Sequence, residues 1–269
     1  MRLVMELEAT GNFSRPEFER KYRTAMHGLC HTFLSASIFP AVQSIHESGI
    51  PGLFCFSGLS GKFGNGGEIL ADQKYKISVS SPSGPLFFTL ATNFKRLFLS
   101  KQPIGFGDMQ FKLTGLHEFK PALAEKDVIV SDGPVILTKN LAERKQFVLS
   151  KGTEANKNNI IDPKLFSSIF KSNLLKKAKQ LGLSIADKPD VIPDPELVYH
   201  KDDHSPVLTV RMQIKPETGD YFVVGNKIRM NVPFREAQEL VEFEKLMDCG
   251  FGVMNGYGFG FMKKVFKRS

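Results

Sequence analysis

The sequence predicts an α+β fold of two ferredoxin-like (RRM-like) domains in tandem, with a C-terminal glycine-rich loop. In each half of the chain, segments that alternate between apolar and polar residues, as strands do, are interleaved with segments of helical spacing. The order strand, helix, strand, strand, helix, strand in the first half is that of the split β-α-β motif, and the second half approximates it. Near the C-terminus, five of the twelve residues from 250 to 261 are glycine. The predicted domains span residues 1–124 and 125–269.

The first predicted domain begins with a strand over residues 1–7, where apolar and charged residues alternate. Ser14 then has the position of a helix N-cap, with Pro16 in the first turn and Glu17 three residues on, as in a capping box. The predicted helix runs from 16 to 37 and has one apolar face. The remaining predicted elements are strands at 53–56, 74–81 and 109–119 and a helix at 86–99.

The second predicted domain starts near Lys126. Its clearest helix covers residues 163–181, with one apolar face and one lysine-rich face that we expect to be solvated. Alternating segments at 207–215 and 221–232 are predicted to form a hairpin. The segment 188–206 is rich in Pro and Asp and is predicted to be a long loop. The other predicted elements are strands at 128–130, 135–137, 146–149 and 258–266 and a helix at 235–249.

Composition indicates which binding partners and which cellular compartment to expect. The net charge is +8, which favours association with a polyanion. No apolar run approaches the ~20 residues that span a bilayer, and the alternating, acid-containing N-terminus lacks the pattern of a signal peptide. The three cysteines are too scattered for a disulfide framework or a zinc ribbon and are typical of buried thiols in a reducing compartment. We therefore expect a soluble cytoplasmic protein without a membrane partner.

The glycine run predicts a loop whose backbone adopts unusual dihedral angles or approaches another group closely. We interpret it as a loop that lies against a nucleic-acid backbone; a plain turn before the last strand is the alternative. It lacks the lysine of a phosphate-binding Gly-Lys-Ser/Thr motif, and a strand follows it where a dinucleotide-binding motif has a helix. No Gly-x-Ser-x-Gly nucleophile motif occurs in the chain. The sequence therefore predicts no cofactor.

Three histidines are candidates for chemistry. His27 and His31 are four residues apart on the first predicted helix and share a face, which is half of a helical metal site. Gly28 stands where the zinc-protease motif has its glutamate, and no third ligand is evident, so we predict no metal. The alternative for both is a polar position at the rim of the core. His46 lies between a helical stretch and a predicted strand, where a residue that titrates near neutral pH is well placed for proton transfer.

Several stretches together resemble the CRISPR-associated endoribonucleases of the RAMP superfamily, which cut precursor CRISPR RNA within its repeats. At the N-terminal end these are residues 29–31 (Leu-Cys-His), 45–47 (Ile-His-Glu) and 51–59 (Pro-Gly-Leu-Phe-Cys-Phe-Ser-Gly-Leu). Residues 75–82 add a strand, and residues 249–261 resemble the glycine-rich loop of the family. The likeness spans both ends of the chain and implies the duplicated ferredoxin-like fold.

The resemblance also implies a reaction and its residues. The 2′-hydroxyl upstream of the cut attacks the adjacent phosphorus without a metal, giving a 2′,3′-cyclic phosphate and a 5′-hydroxyl. In members with a Tyr-His-Lys set, the histidine matches His46 and the tyrosine matches His31, but the lysine falls on Gly52. Either the two histidines form an acid–base pair, or another lysine (Lys62 or Lys74 is nearest in sequence) supplies the charge, or the protein binds RNA without cutting it.

Repeat RNA, single-stranded or folded as a hairpin, is the partner that the resemblance implies; subunits of a CRISPR effector complex and a second copy of the chain are further candidates. The expected RNA-binding residues are those of the glycine loop and two basic residues of the segment 221–232. They are Gly250, Gly252, Asn255, Gly256, Gly258, Gly260, Lys227 and Arg229.

Overall fold

The computed structural model of the chain describes residues 1–35, 54–137, 149–150, 160–161, 163–198, 207–213 and 219–265. The helices in these residues are α1 (Arg15–Ser35), α2 (Gly84–Ser100), α3 (Pro163–Gln180) and α4 (Ala237–Cys249). The strands are β1 (Arg2–Ala9), β2 (Cys55–Phe56), β3 (Ser60–Gly61), β4 (Lys74–Ser80), β5 (Ile104–Phe106), β6 (Met109–Phe119), β7 (Val128–Ser131), β8 (Leu149–Ser150), β9 (Ile160–Ile161), β10 (Glu196–Leu197), β11 (Val207–Gln213), β12 (Asp220–Asn226), β13 (Ile228–Asn231) and β14 (Met262–Lys264).

The first half of the chain forms an antiparallel sheet with the strand order β2-β4-β1-β6-β5, and β3 pairs with β4. The central strand β1 pairs with β4 on one side and with β6 on the other. Over residues 109–115 of β6, buried and exposed residues alternate, because side chains of a strand point to opposite faces of the sheet. The buried face packs on α1 and α2, whose buried residues follow helical spacing, as in Phe18, Tyr22 and Met26 of α1.

The second half repeats this arrangement. Its sheet has the order β10-β13-β7-β14, with α3 between β7 and β10 and α4 between β13 and β14 along the chain. In both halves the order of the first four principal strands across the sheet is second, third, first, fourth, the topology of the split β-α-β unit. A second core forms between this sheet and the two helices, with Phe166, Phe170, Phe243 and Phe251 among its buried residues.

The second half also corrects two predictions. Residues 196–197, inside the segment predicted to be a loop, form β10 and take the second-strand position of the sheet. A strand of two residues in a Pro-rich segment is too short to show a period in the sequence. The predicted strand 221–232 divides at Lys227 into β12 and β13, and β12 pairs with β11 as a separate two-stranded ribbon.

The β11–β12 ribbon packs against α1 of the first half. The Thr24 hydroxyl donates a hydrogen bond of 2.6 Å to the backbone carbonyl of Gln213. Arg20 of α1 forms an ion pair of 3.2 Å with Asp220 at the start of β12. The two halves are therefore joined by polar contacts between α1 and an insertion of the second half.

The predicted boundary between residues 124 and 125 stays a prediction. The first sheet ends at Phe119 and the second begins at Val128, so the boundary falls in the connecting segment. Leu123 already packs in the second core, and its backbone N–H donates to the carboxylate of Glu244 at 2.8 Å.

Candidate active site

The glycine-rich loop leads from the end of α4 to β14 and folds back on itself. The N–H of Phe251 donates to the carbonyl of Gly260 at 2.9 Å and closes the base of the loop. Gly260 has a φ of +70°, and a Cβ built on it would lie 1.8 Å from the carbonyl oxygen of Phe251. Gly252 has a φ of +77°, and its Cβ would lie 2.4 Å from the carbonyl oxygen of Ile136. At these two positions only glycine fits both the dihedral angle and the space.

Asn255 holds the inside of the loop together. This side chain is buried, and its Nδ2 donates to the carbonyls of Phe251 at 3.0 Å and of Phe259 at 2.7 Å. Its Oδ1 accepts a hydrogen bond of 2.6 Å from Nζ of Lys177 on α3, and the same Nζ donates to the carbonyl of Gly250 at 2.6 Å. The expectation that the lysine face of this helix is solvated is therefore wrong for Lys177, which is 5% exposed.

Burial shifts the pKa values of the ionisable side chains around Asn255 and Lys177. Burial lowers the pKa of Lys177, because the charged ammonium loses its hydration. Two cysteine thiols lie in the same region, and burial raises the pKa of Cys55 to about 12 and raises that of Cys249 as well. A thiol that stays protonated is a poor nucleophile. The cysteines at this site therefore pack as small apolar groups.

The loop lies directly against α1. Nη1 of Arg23 donates to the carbonyl of Tyr257 at 3.0 Å, and the guanidinium lies over the ring of Phe259 at 4.5 Å. Nδ1 of His27 is 2.9 Å from the carbonyl of Gly256, 229 residues away in the sequence. The His27 ring also stacks on Tyr257, with centroids 4.0 Å apart and planes at 14°. The folded chain therefore brings the two parts that carried the family resemblance into contact.

His31 lies one turn further along α1. Its ring meets the His27 ring edge to face, with centroids 4.3 Å apart, and lies 5.4 Å from the ring of Phe54. Both histidines are partly exposed. An imidazole in this setting can exchange protons with a bound substrate and is held by aromatic neighbours.

Of the other predicted site residues, two cannot be placed and two lysines do not lie beside His31. His46 and Gly52 lie outside the described residues. Lys74 begins β4, whereas the other end of that strand, Ser80, pairs with Cys55 next to Phe54. Six residues of strand separate the two ends by about 20 Å, so Lys74 does not supply charge beside His31. Lys62 follows β3, which pairs with the Lys74 end of β4.

The predicted RNA contacts stay predictions. Gly250, Gly252, Asn255, Gly258 and Gly260 are buried in the structure, where they shape the loop. Gly256 is partly exposed. The two basic residues are on or next to β13, away from α1: Arg229 is exposed and lies 3.9 Å from Glu196 of β10, and Lys227 is partly exposed.

Within the ranges that the structure describes, no group of three or more His, Cys, Asp and Glu side chains is arranged to hold a metal ion. No described helix is both long and apolar enough to cross a membrane.

Sequence reasoning placed His27 and His31 on one helix face but missed the contact of this face with the loop, and it missed Arg23 and Lys177 as residues that hold the loop. Arg23, His27 and His31 follow one another at intervals of four, so they share one face of α1. That spacing was a usable signal for a polar stripe that meets another element. Lys177 and Asn255 carry no such pattern, because their contact joins an ordinary helix to a loop 78 residues away.

The chain is similar to known proteins in sequence and in structure. No family model matches the chain. It is 24% identical over 275 residues to the CRISPR-associated endoribonuclease Cas6 of Haloferax mediterranei, covering 99% of this chain and 94% of the relative.

Solved structures of Cas6 and RAMP proteins have a similar fold. A CRISPR-associated protein Cas6 aligns over 99% of both chains with a TM-score of 0.59 and 18% identity. A RAMP protein described as binding different RNA substrates aligns over 99% of this chain and 100% of its own, with a TM-score of 0.59 and 14% identity. A Cas6-related protein from Pyrococcus furiosus aligns over 100% and 99% with a TM-score of 0.57 and 14% identity. The resemblance and the tandem ferredoxin-like fold are thereby confirmed: over nearly its whole length the chain is similar to Cas6 and RAMP proteins.

Proposed function

We propose that the chain is a metal-independent endoribonuclease that cleaves precursor CRISPR RNA within its repeats. The observation that carries the proposal is the contact between α1 and the glycine-rich loop: His27 lies 2.9 Å from the carbonyl of Gly256, and the ring of His31 adjoins that of His27. The curated relative named as a Cas6 endoribonuclease covers nearly the whole chain, which supports the same activity. The reaction takes place in the cytoplasm in this proposal.

The proposed chemistry needs only proton transfer and charge stabilisation. One histidine removes the proton of the 2′-hydroxyl, whose oxygen attacks the adjacent phosphorus. The bond from phosphorus to the 5′-oxygen breaks, and the second histidine gives that oxygen a proton. The products are a 2′,3′-cyclic phosphate and a 5′-hydroxyl. His31 and His46 form this pair, and the protonated member also offsets the negative charge that develops on the phosphorane.

RNA binding in this proposal combines the loop with positive charge. In this proposal the partly exposed residues Gly256 and Tyr257 lie next to the RNA, while the buried glycines and Asn255 give the loop its shape. Lys227 and Arg229 contact phosphates of the repeat. Because these contacts are electrostatic, affinity falls as the salt concentration rises.

A second candidate function is a subunit that binds repeat RNA without cutting it, within a CRISPR effector complex or as a dimer. The specific observation in its favour is Gly52, which stands where the resembling family has a lysine. Without that cation, the developing phosphorane charge has one stabilising group fewer.

Labelled repeat RNA incubated with the protein in EDTA tests the proposal. Cleavage in EDTA that stops when the nucleotide upstream of the cut is 2′-deoxy is the expected result. Tight binding without cleavage would establish the second candidate. Cleavage that requires added metal would contradict the proposed mechanism.

A further inference from the structure

We infer that His27 is a positioning residue of the reaction centre. Its side chain fixes the position of the glycine-rich loop relative to His31. The inference deepens the proposed function and rests on it. His27 belongs to neither the acid–base pair nor the RNA-binding set proposed above.

The hydrogen bond to the loop fixes the tautomer of His27. A backbone carbonyl only accepts hydrogen bonds, so Nδ1 must carry the proton in its 2.9 Å contact with the Gly256 oxygen. In the neutral ring, Nε2 is then the nitrogen with the lone pair. The ring orientation is set by this bond and not by packing alone.

The ring of His27 contacts residues of both the loop and α1. Tyr257 stacks on it at 4.0 Å, and His31 meets it at 4.3 Å with a plane angle of 62°. Phe54 lies 6.0 Å from His27 and 5.4 Å from His31. A shift of His27 therefore moves the loop and the catalytic candidate His31 relative to each other.

The position of Gly256 independently supports a close contact between the loop and His27. The other four glycines of the loop have φ values of +70° to +78°, which explains their identity, but Gly256 has no positive φ. A Cβ on Gly256 would lie 3.3 Å from Nδ1 and 3.4 Å from Cε1 of His27. A side chain at Gly256 would therefore crowd the His27 ring, which would have to shift by a few tenths of an ångström.

His27 is not needed to keep the loop docked. Arg23 donates to the carbonyl of Tyr257 at 3.0 Å, and the N–H of Val253 donates to Ile136 at 2.8 Å. Lys177 holds the carbonyl of Gly250 at 2.6 Å. Substitution of His27 should therefore leave the fold intact and change only the fine position of the loop.

Two variants of His27 separate the hydrogen bond from the ring. His27→Phe keeps an aromatic ring and removes the donor, whereas His27→Asn keeps an N–H near the position of Nδ1 and removes the ring. The readouts are the single-turnover cleavage rate, RNA affinity and the thermal midpoint. We expect His27→Phe to cut roughly tenfold more slowly or worse, as when a supporting hydrogen bond is lost, with parental affinity and midpoint, and His27→Asn to recover most of the rate.

Parental cleavage by His27→Phe would overturn the inference. Equal slowing in both variants would do the same, because the Nδ1 bond would then not be the cause. A loss of RNA affinity and thermal midpoint in step with the rate would assign His27 a merely structural role and would also overturn it.

A long-range ¹H–¹⁵N spectrum of histidine-labelled protein, recorded where His27 is neutral, gives a readout without activity. The Nδ1–H tautomer of His27 would support the inferred loop contact, and the Nε2–H tautomer would overturn it. If the parent protein does not cut repeat RNA, the proposed function fails, and this spectrum still decides the loop contact.

Discussion

The buried side chain of Lys177 on α3 donates a hydrogen bond of 2.6 Å to the Oδ1 of Asn255 inside the glycine-rich loop. This contact links a helix of the second half to the loop that docks on α1 of the first half. Asn255 in turn donates to the carbonyls of Phe251 and Phe259. The buried side chain of Lys177 thus supports the loop that contacts His27.

Lys177→Met should destabilise the protein. The substitution keeps a long apolar stem but leaves the Gly250 carbonyl and the Asn255 Oδ1 without their donor, and a buried unsatisfied polar group costs about 1–3 kcal/mol. Equilibrium urea unfolding measures the free energy of unfolding. Lys176→Met, at the exposed neighbouring position, is the matched control and should match the parent. If Lys177→Met is as stable as this control, the hydrogen bonds of Lys177 do not contribute to the stability of the loop.

The same residue predicts a pH dependence. Because burial lowers the pKa of Lys177 below its ordinary value of 10.5, the unfolded chain binds more protons than the folded chain between the lowered pKa and 10.5. Stability due to this group therefore rises with pH across that window. The free energy of unfolding of the parent minus that of Lys177→Met should therefore increase as the pH rises towards 10.5.

The comparison of two proteins at each pH isolates Lys177. Lys21 and Lys188 have pKa values raised by their carboxylate partners, and the stability they give is lost at high pH, but both proteins contain them. The buried thiols of Cys55 and Cys249 are likewise common to both. A difference that is flat or shrinks with pH would contradict the lowered pKa.

Gly260→Ala should destabilise the loop strongly. Its Cβ would lie 1.8 Å from the Phe251 carbonyl oxygen, which is backbone and cannot rotate away. The control is Gly66→Ala, because Gly66 has a similar φ of +75° with open space around it. The control measures the cost of the dihedral angle alone, about 1 kcal/mol. Thermal unfolding should show the larger loss for Gly260→Ala, and equal losses would mean that the loop can open at no cost.

Particular elements show what the sequence could predict. The strand predicted at 109–119 coincides with β6, because buried and exposed residues alternate over 109–115 and give a clear period of two. β10 was missed, because two residues carry no period. At the site, spacing placed His27 and His31 on one face of α1, but the partner that meets this face comes from residues 256–257. Contacts between such distant segments depend on how the two sheets and their helices pack, which no local pattern encodes.

The proposed mechanism predicts different losses for two histidine variants. His46→Ala should lower the cleavage rate by about two orders of magnitude or more, the range of general acid–base catalysis. His31→Ala should lose part of the rate and keep its RNA affinity. His117→Ala is the control, because His117 is 63% exposed on β6 of the first sheet. Single-turnover cleavage of labelled repeat RNA checks all three, and a His46→Ala variant that cuts at the parental rate would exclude His46 from the mechanism.

Arg229→Gln should weaken binding of repeat RNA and reduce its salt dependence. Arg229 is exposed on the second sheet, and its ion pair with Glu196 is long, at 3.9 Å, and therefore weak. If it contacts one phosphate, the slope of log affinity against log salt should fall by about 1, since one fewer counterion is released. Lys112→Gln is the matched control, because Lys112 is similarly exposed, on the first sheet, and lies 3.6 Å from Glu8. An equal change of slope in the control would show that overall charge, and not a contact at Arg229, governs the affinity.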